Sequence, residues 1–77
     1  MSIVLSIGIL GAFLILLAFI LEQKNIWKND SLAYDVINLV GSGLLVAYGV
    51  LIGAWPFVIL NSIWAIFSLR DVFKDLL

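Results

Sequence analysis

From Val36 to Leu69 the chain carries no charged residue, a run of 34 positions. As one straight α-helix it would measure about 51 Å at roughly 1.5 Å per residue. A bilayer hydrocarbon core is only about 30 Å thick, so the run has to fold back on itself. The break is legible at Gly53-Ala54-Trp55-Pro56. Glycine suits the residue that ends a helix, and proline suits the first turn of the next. The expectation is one helix over about 32–53 and another over about 56–73, antiparallel neighbours joined by a tight turn.

Residues 3–21 supply a third apolar stretch, long enough at 19 positions to cross a bilayer. Its flanks are unlike a secretory signal, which needs a basic start and small residues at a cleavage site. It reads as a retained helix. Between it and the next helix lies the polar segment 22–31, in which Trp27 suits the interface and Asp30 or Ser31 can cap the following helix. Only 12% of the 77 residues are charged, against about 25% in soluble domains, too few to cover a small soluble fold. The fold class read from these features is an all-α membrane protein, a single domain over 1–77. It is a three-transmembrane-helix bundle with the lipid bilayer as its solvent.

Orientation follows from the basic residues. Lys24 and Lys28 lie in the first loop, Arg70 and Lys74 near the C-terminus, and none elsewhere. Three spans put those two regions on one side, and the positive-inside rule makes that side the cytoplasm. The expected topology is N-terminus out, C-terminus in, multi-pass in the bacterial cytoplasmic (inner) membrane.

The second helix carries polar and small residues at helical spacing: Asp35, Asn38, Gly41, Ser42, Tyr48 and Gly49. Such a stripe faces protein or a wet cavity, and its small members let another helix come close. Gly8, Gly11, Gly41, Gly49 and Gly53 are therefore read as helix-packing positions. Asp35 near the start of that helix is either a cation or proton site or a carboxylate placed to suit the helix dipole. On the third helix Asn61 and Trp64 lie one turn apart and deep in the span, with Ser68 and Asp71 following at similar steps. An amide at that depth needs partners, so Asn61 either binds a solute or makes an interhelical hydrogen bond, and Trp64 lines a cavity or fills the bundle. The candidate solute-binding residues are Asn61, Trp64, Tyr48, Asn38 and Ser42.

No nucleophile–base pair, metal-ligand cluster or phosphate-binding loop is visible, and there is neither cysteine nor histidine. The expectation is a non-enzyme with no cofactor, no metal and no catalytic residue. The net charge of -1 gives no reason to expect a nucleic-acid partner.

The residues Tyr34, Asn38-Leu39-Val40-Gly41, Trp55 and Asn61-Ser62-Ile63-Trp64 resemble a family of small uncharacterised bacterial membrane proteins. More loosely, Tyr48-Gly49, the turn with Pro56 and then Asn61 look like the second half of a SemiSWEET sugar transporter. That likeness implies three-helix units with an outside N-terminus working as parallel dimers, with Asn61 at a central sugar site. The first-helix Pro-Gln pair and the second-helix Trp of those transporters have no counterpart here.

Three helices packed about 8–10 Å apart enclose no channel, so transport by this chain requires an oligomer. Two functions are expected in competition. One is a SemiSWEET-like parallel homodimer moving a small polar solute. The other is an accessory or structural membrane protein packing against a larger complex, without transport of its own.

Overall fold

A computed structural model describes residues 2–28 and 31–77. It places three helices in chain order: α1 (Ile3–Gln23), α2 (Leu32–Ile52) and α3 (Trp55–Leu76). Serine hydroxyls start the first two. Ser2 Oγ accepts the amide N–H of Leu5 at 3.0 Å, and Ser31 Oγ accepts that of Tyr34 at 3.2 Å. Each satisfies a donor that a helix start would otherwise leave without a partner. Asp30, the other capping candidate, lies outside the described residues. The third helix starts without a side-chain cap, on Pro56 in its first turn, where proline's missing N–H costs nothing.

The first two helices end alike. Asn25, the first residue past the Lys24 cap, takes a left-handed φ of 59°, and Gly53 after α2 takes 71°. In both cases the reversed backbone returns two N–H groups to the last turn. Ile26 donates to Leu21 at 2.9 Å and Asn25 to Glu22 at 3.0 Å; Ala54 donates to Gly49 at 2.9 Å and Gly53 to Val50 at 3.2 Å. This pairing closes a helix with its final carbonyls satisfied. Asparagine is among the few residues that tolerate the left-handed region, which is why α1 runs on through Glu22 and Gln23 past the apolar segment. Likewise α3 runs three residues beyond the expected limit, carrying its polar end Arg70–Lys74 as continuous helix.

The helices hold 21, 21 and 22 residues, about 32 Å each at roughly 1.5 Å per residue. That matches the 34 Å long dimension of the molecule. All three are long and apolar enough to cross a membrane.

The helix α2 is the centre of the bundle. It packs against both α1 and α3, while among the described residues no Cα of α1 comes within 8 Å of one in α3. The buried residues of α2 are Asp35, Asn38, Gly41, Ser42 and Gly49, which is the polar and small stripe but for half-buried Tyr48. On the α1 side, Gly8 lies under the ring of Tyr48, and Gly11 faces Gly41 with the carbonyl of each close to the other's Cα. On the α3 side, Gly49 receives Phe57 and Val58. The Tyr48 and Phe57 rings meet edge-to-face at 6.3 Å between centroids, so Tyr48 touches both neighbours of α2.

Gly53 differs from the packing role expected of it. A Cβ there would meet nothing within 4 Å; its glycine is required by the positive φ. Gly53→Val should therefore destabilise the protein by about 1–2 kcal/mol through backbone strain alone. Gly43→Ala, in open space on the same helix with no positive φ, should stabilise it by up to about 1 kcal/mol. Thermal unfolding in detergent compares the two. Equal effects would contradict the strain argument.

Candidate functional site

Polar side chains in the apolar part of the molecule first satisfy themselves. Asn38 Nδ2 donates to the Tyr34 carbonyl at 3.0 Å, and Asn61 Nδ2 to the Phe57 carbonyl at 2.9 Å. Ser42 Oγ, fully buried, donates to the Asn38 carbonyl at 2.7 Å and also lies 3.1 Å from that of Leu39. Each bond returns one turn up its own helix. Among the described residues no buried side-chain nitrogen or oxygen lacks a hydrogen-bond partner. This arrangement removes the cost of polar groups in hydrocarbon without cross-linking helices. The expected interhelical bond of Asn61 is thus replaced, for its Nδ2, by one inside α3.

Concavities among the described residues border α2, and three of them bear on its polar side chains. The first, of about 310 Å³, lies between α2 and α3. Its α2 wall is Tyr34, Asp35 and Asn38, and its α3 wall is Trp64, Phe67, Ser68 and Asp71. Asp35, Asn38 and Ser68 are buried, at 4%, 5% and 6% exposure, whereas Trp64 is 51% exposed. Steps of three or four along both helices bring these residues to one face, and the antiparallel pairing sets the first turn of α2 beside the later turns of α3. The Arg70 guanidinium stands at the same end. It lies 3.4 Å from Asp71 Oδ1 and 5.1 Å from the centre of the Phe67 ring.

The second concavity, about 400 Å³, uses the separation of α1 from α3. Ala12, Ile15, Leu16 and Phe19 form one side and Trp64 the other, with Leu45, Tyr34 and Asn38 on α2. A third, about 300 Å³, lies among Ile15, Leu45, Leu60, Asn61 and Trp64. Both are lined almost wholly by apolar surface.

These placements divide the residues singled out by sequence. Trp64 borders all three concavities, Asn38 two and Asn61 one apolar one. Ser42 is enclosed within the bundle, and Tyr48 is occupied by Gly8 and Phe57. Phe67, which sequence reasoning passed over, joins the α2–α3 cleft. Its signal is its position one turn after Trp64 and one before Asp71, on the side of α3 that carries the buried Ser68. Among the described residues no three metal-ligating acids gather. The α2–α3 cleft gathers carboxylates, an amide, a hydroxyl and aromatic rings around a small volume.

No curated protein and no solved structure matches this chain, and the resemblance to SemiSWEET transporters gains no support. A model of an uncharacterised family does match, over residues 4–76, which takes in all three helices but for Ile3. The chain belongs to that uncharacterised family of small three-helix proteins.

Proposed function

We propose that this is a multi-pass protein of the bacterial cytoplasmic membrane, N-terminus out and C-terminus in, that binds a small polar solute between α2 and α3 and moves it as a parallel homodimer. The observation that carries the reading is the lining of that cleft. Beside the two apolar concavities along α2, buried Asn38, Ser68 and Asp35 here meet Trp64 around about 310 Å³, the small end of the range for ligand sites. The four basic residues support the orientation, which sets the cleft at the cytoplasmic ends of α2 and α3. A second copy is needed because one chain of three helices holds no passage. The unfilled space between α1 and α3 leaves room for a neighbouring helix.

The test pairs flux with assembly. In proteoliposomes, Trp64→Ala should lower uptake of a transported solute by about tenfold, the loss that ~1.4 kcal/mol of contact energy represents. The oligomer in detergent should be unchanged. Wild-type flux in that variant would remove the site.

A second reading, an accessory subunit that packs against a larger membrane complex, is favoured by one specific feature. Asn38, Ser42 and Asn61 are all bonded inside their own helices, and the face between α1 and α3 is apolar, as a dry helix contact would want. Absence of flux across a broad solute panel, with stable hetero-assembly in the membrane, would favour it over transport.

A further inference from the structure

We propose that the α2–α3 cleft selects a small organic cation, an alkylammonium group held by the rings of Trp64 and Phe67 and by the carboxylates of Asp35 and Asp71. The inference rests on the solute-binding reading of the same cleft and adds the class of solute.

Three observations converge on a positive charge. First, among the described residues the ionisable side chains in the wall are two carboxylates and a tyrosine, Asp35 and Asp71 coming from opposite helices, with no lysine or arginine. Second, the wall contains the rings of Tyr34, Trp64 and Phe67. An aromatic face attracts a cation through its quadrupole, tryptophan most strongly, and the attraction grows when water is excluded. Third, one of these rings already has a cation beside it: the Arg70 guanidinium stands 5.1 Å from the Phe67 centre. That guanidinium is a rim group, with 68% of its side chain exposed and a long 3.4 Å contact to Asp71. It stands at the edge of the wall that carries Asp35 and Asp71.

Alkylammonium fits this mixture better than a metal ion or a sugar. A bare divalent ion needs several oxygen ligands close together, and much of this wall is ring surface. A sugar needs a dense set of donors and acceptors, while the Nδ2 of Asn38 is already given to the Tyr34 carbonyl. Methyl groups around a positive nitrogen use ring faces and carboxylates together.

The experiment uses the full chain in lipid nanodiscs, with Trp27→Phe and Trp55→Phe so that Trp64 is the sole indole. Three probes of similar size and different charge are titrated: tetramethylammonium, tert-butanol and pivalate. Trp64 fluorescence and calorimetry are the readouts. Tetramethylammonium should bind saturably, tert-butanol about tenfold or more weaker, and pivalate not at all. Asp71→Asn, at a partly exposed position, should weaken the cation about tenfold with unchanged circular dichroism. Arg70→Gln should tighten it, because a rival cation has gone. Equal binding of tert-butanol, or loss of binding in Arg70→Gln, overturns the cation assignment while the cleft remains a binding site. Failure of all three probes to perturb Trp64 overturns both the cation and the cleft.

Discussion

Gly41→Leu should separate α1 from α2 and destabilise the protein by about 3 kcal/mol, the upper end of what overpacking costs. A Cβ at Gly41 would lie 2.9 Å from Ile15 Cγ1, 3.0 Å from Ile15 Cδ1 and 3.1 Å from the Gly11 carbonyl oxygen. The reciprocal position is equally closed: a Cβ at Gly11 would stand 2.9 Å from the Gly41 carbonyl oxygen. Ile15 could rotate away, but two backbone carbonyls cannot retreat unless whole helices move. A leucine adds three further carbons to that space. In a bilayer, helices have no hydrophobic drive to restore such a contact, so close packing would have to hold it. The control is Gly43→Leu, in the same helix two residues on, where a Cβ meets nothing within 4 Å. It should not destabilise, and like Gly43→Ala it should stabilise by up to about 1 kcal/mol through helix propensity. Reversible unfolding in mixed micelles measures both. Because Gly11 and Gly41 guard one crossing, Gly11→Leu combined with Gly41→Leu should cost little more than either alone. Equal destabilisation by Gly41→Leu and Gly43→Leu would show that the crossing is not what joins the helices.

The glycines of that crossing are legible in the sequence for a physical reason, because polar and small residues at steps of three, four and seven share one helix face. The turn after α2 is legible too. A span 34 residues long without charge must fold back, and only one place in it offers both Gly and Pro. Other features depend on choices that spacing leaves open. Whether the Asn61 amide reaches a neighbouring helix or the Phe57 carbonyl one turn back is a matter of rotamer, and either satisfies it. Whether α1 closes against α3 depends on the angles at which both cross α2, which side-chain shape decides. The cleft escapes sequence reasoning for the same reason. Asp35 and Asp71 are 36 positions apart, and only the register set by the Gly53 turn brings them to one wall. The depth of Trp64 in its span marks it as something other than an interface anchor, but its neighbours in space come from the opposite helix as well as its own.

Single cysteines should label in an all-or-none pattern across the membrane. The chain has no native cysteine, so each introduced thiol reports alone. Ser2 is exposed at the start of α1, and Ser2→Cys removes a cap worth about 1 kcal/mol, a tolerable loss for a helix of 21 residues. It should react with a membrane-impermeant maleimide in intact cells. Gln23→Cys, at the exposed end of the same helix, should react only after permeabilisation. At the C-terminus, Lys74→Cys gives the same protected result but takes away one of the four basic residues that set the orientation. Asp75→Cys keeps all four and is the cleaner probe, exposed at the end of α3. The two ends of α1 are about 32 Å apart, at roughly 1.5 Å per residue, so one helix separates the labelled from the protected site by a full hydrocarbon core. Opposite labelling of Ser2→Cys and Asp75→Cys follows because three crossings put the termini on different sides. Labelling of Asp75→Cys in intact cells with protection of Ser2→Cys would reverse the orientation, and the cleft beside Asp35 and Asp71 would then open to the outside.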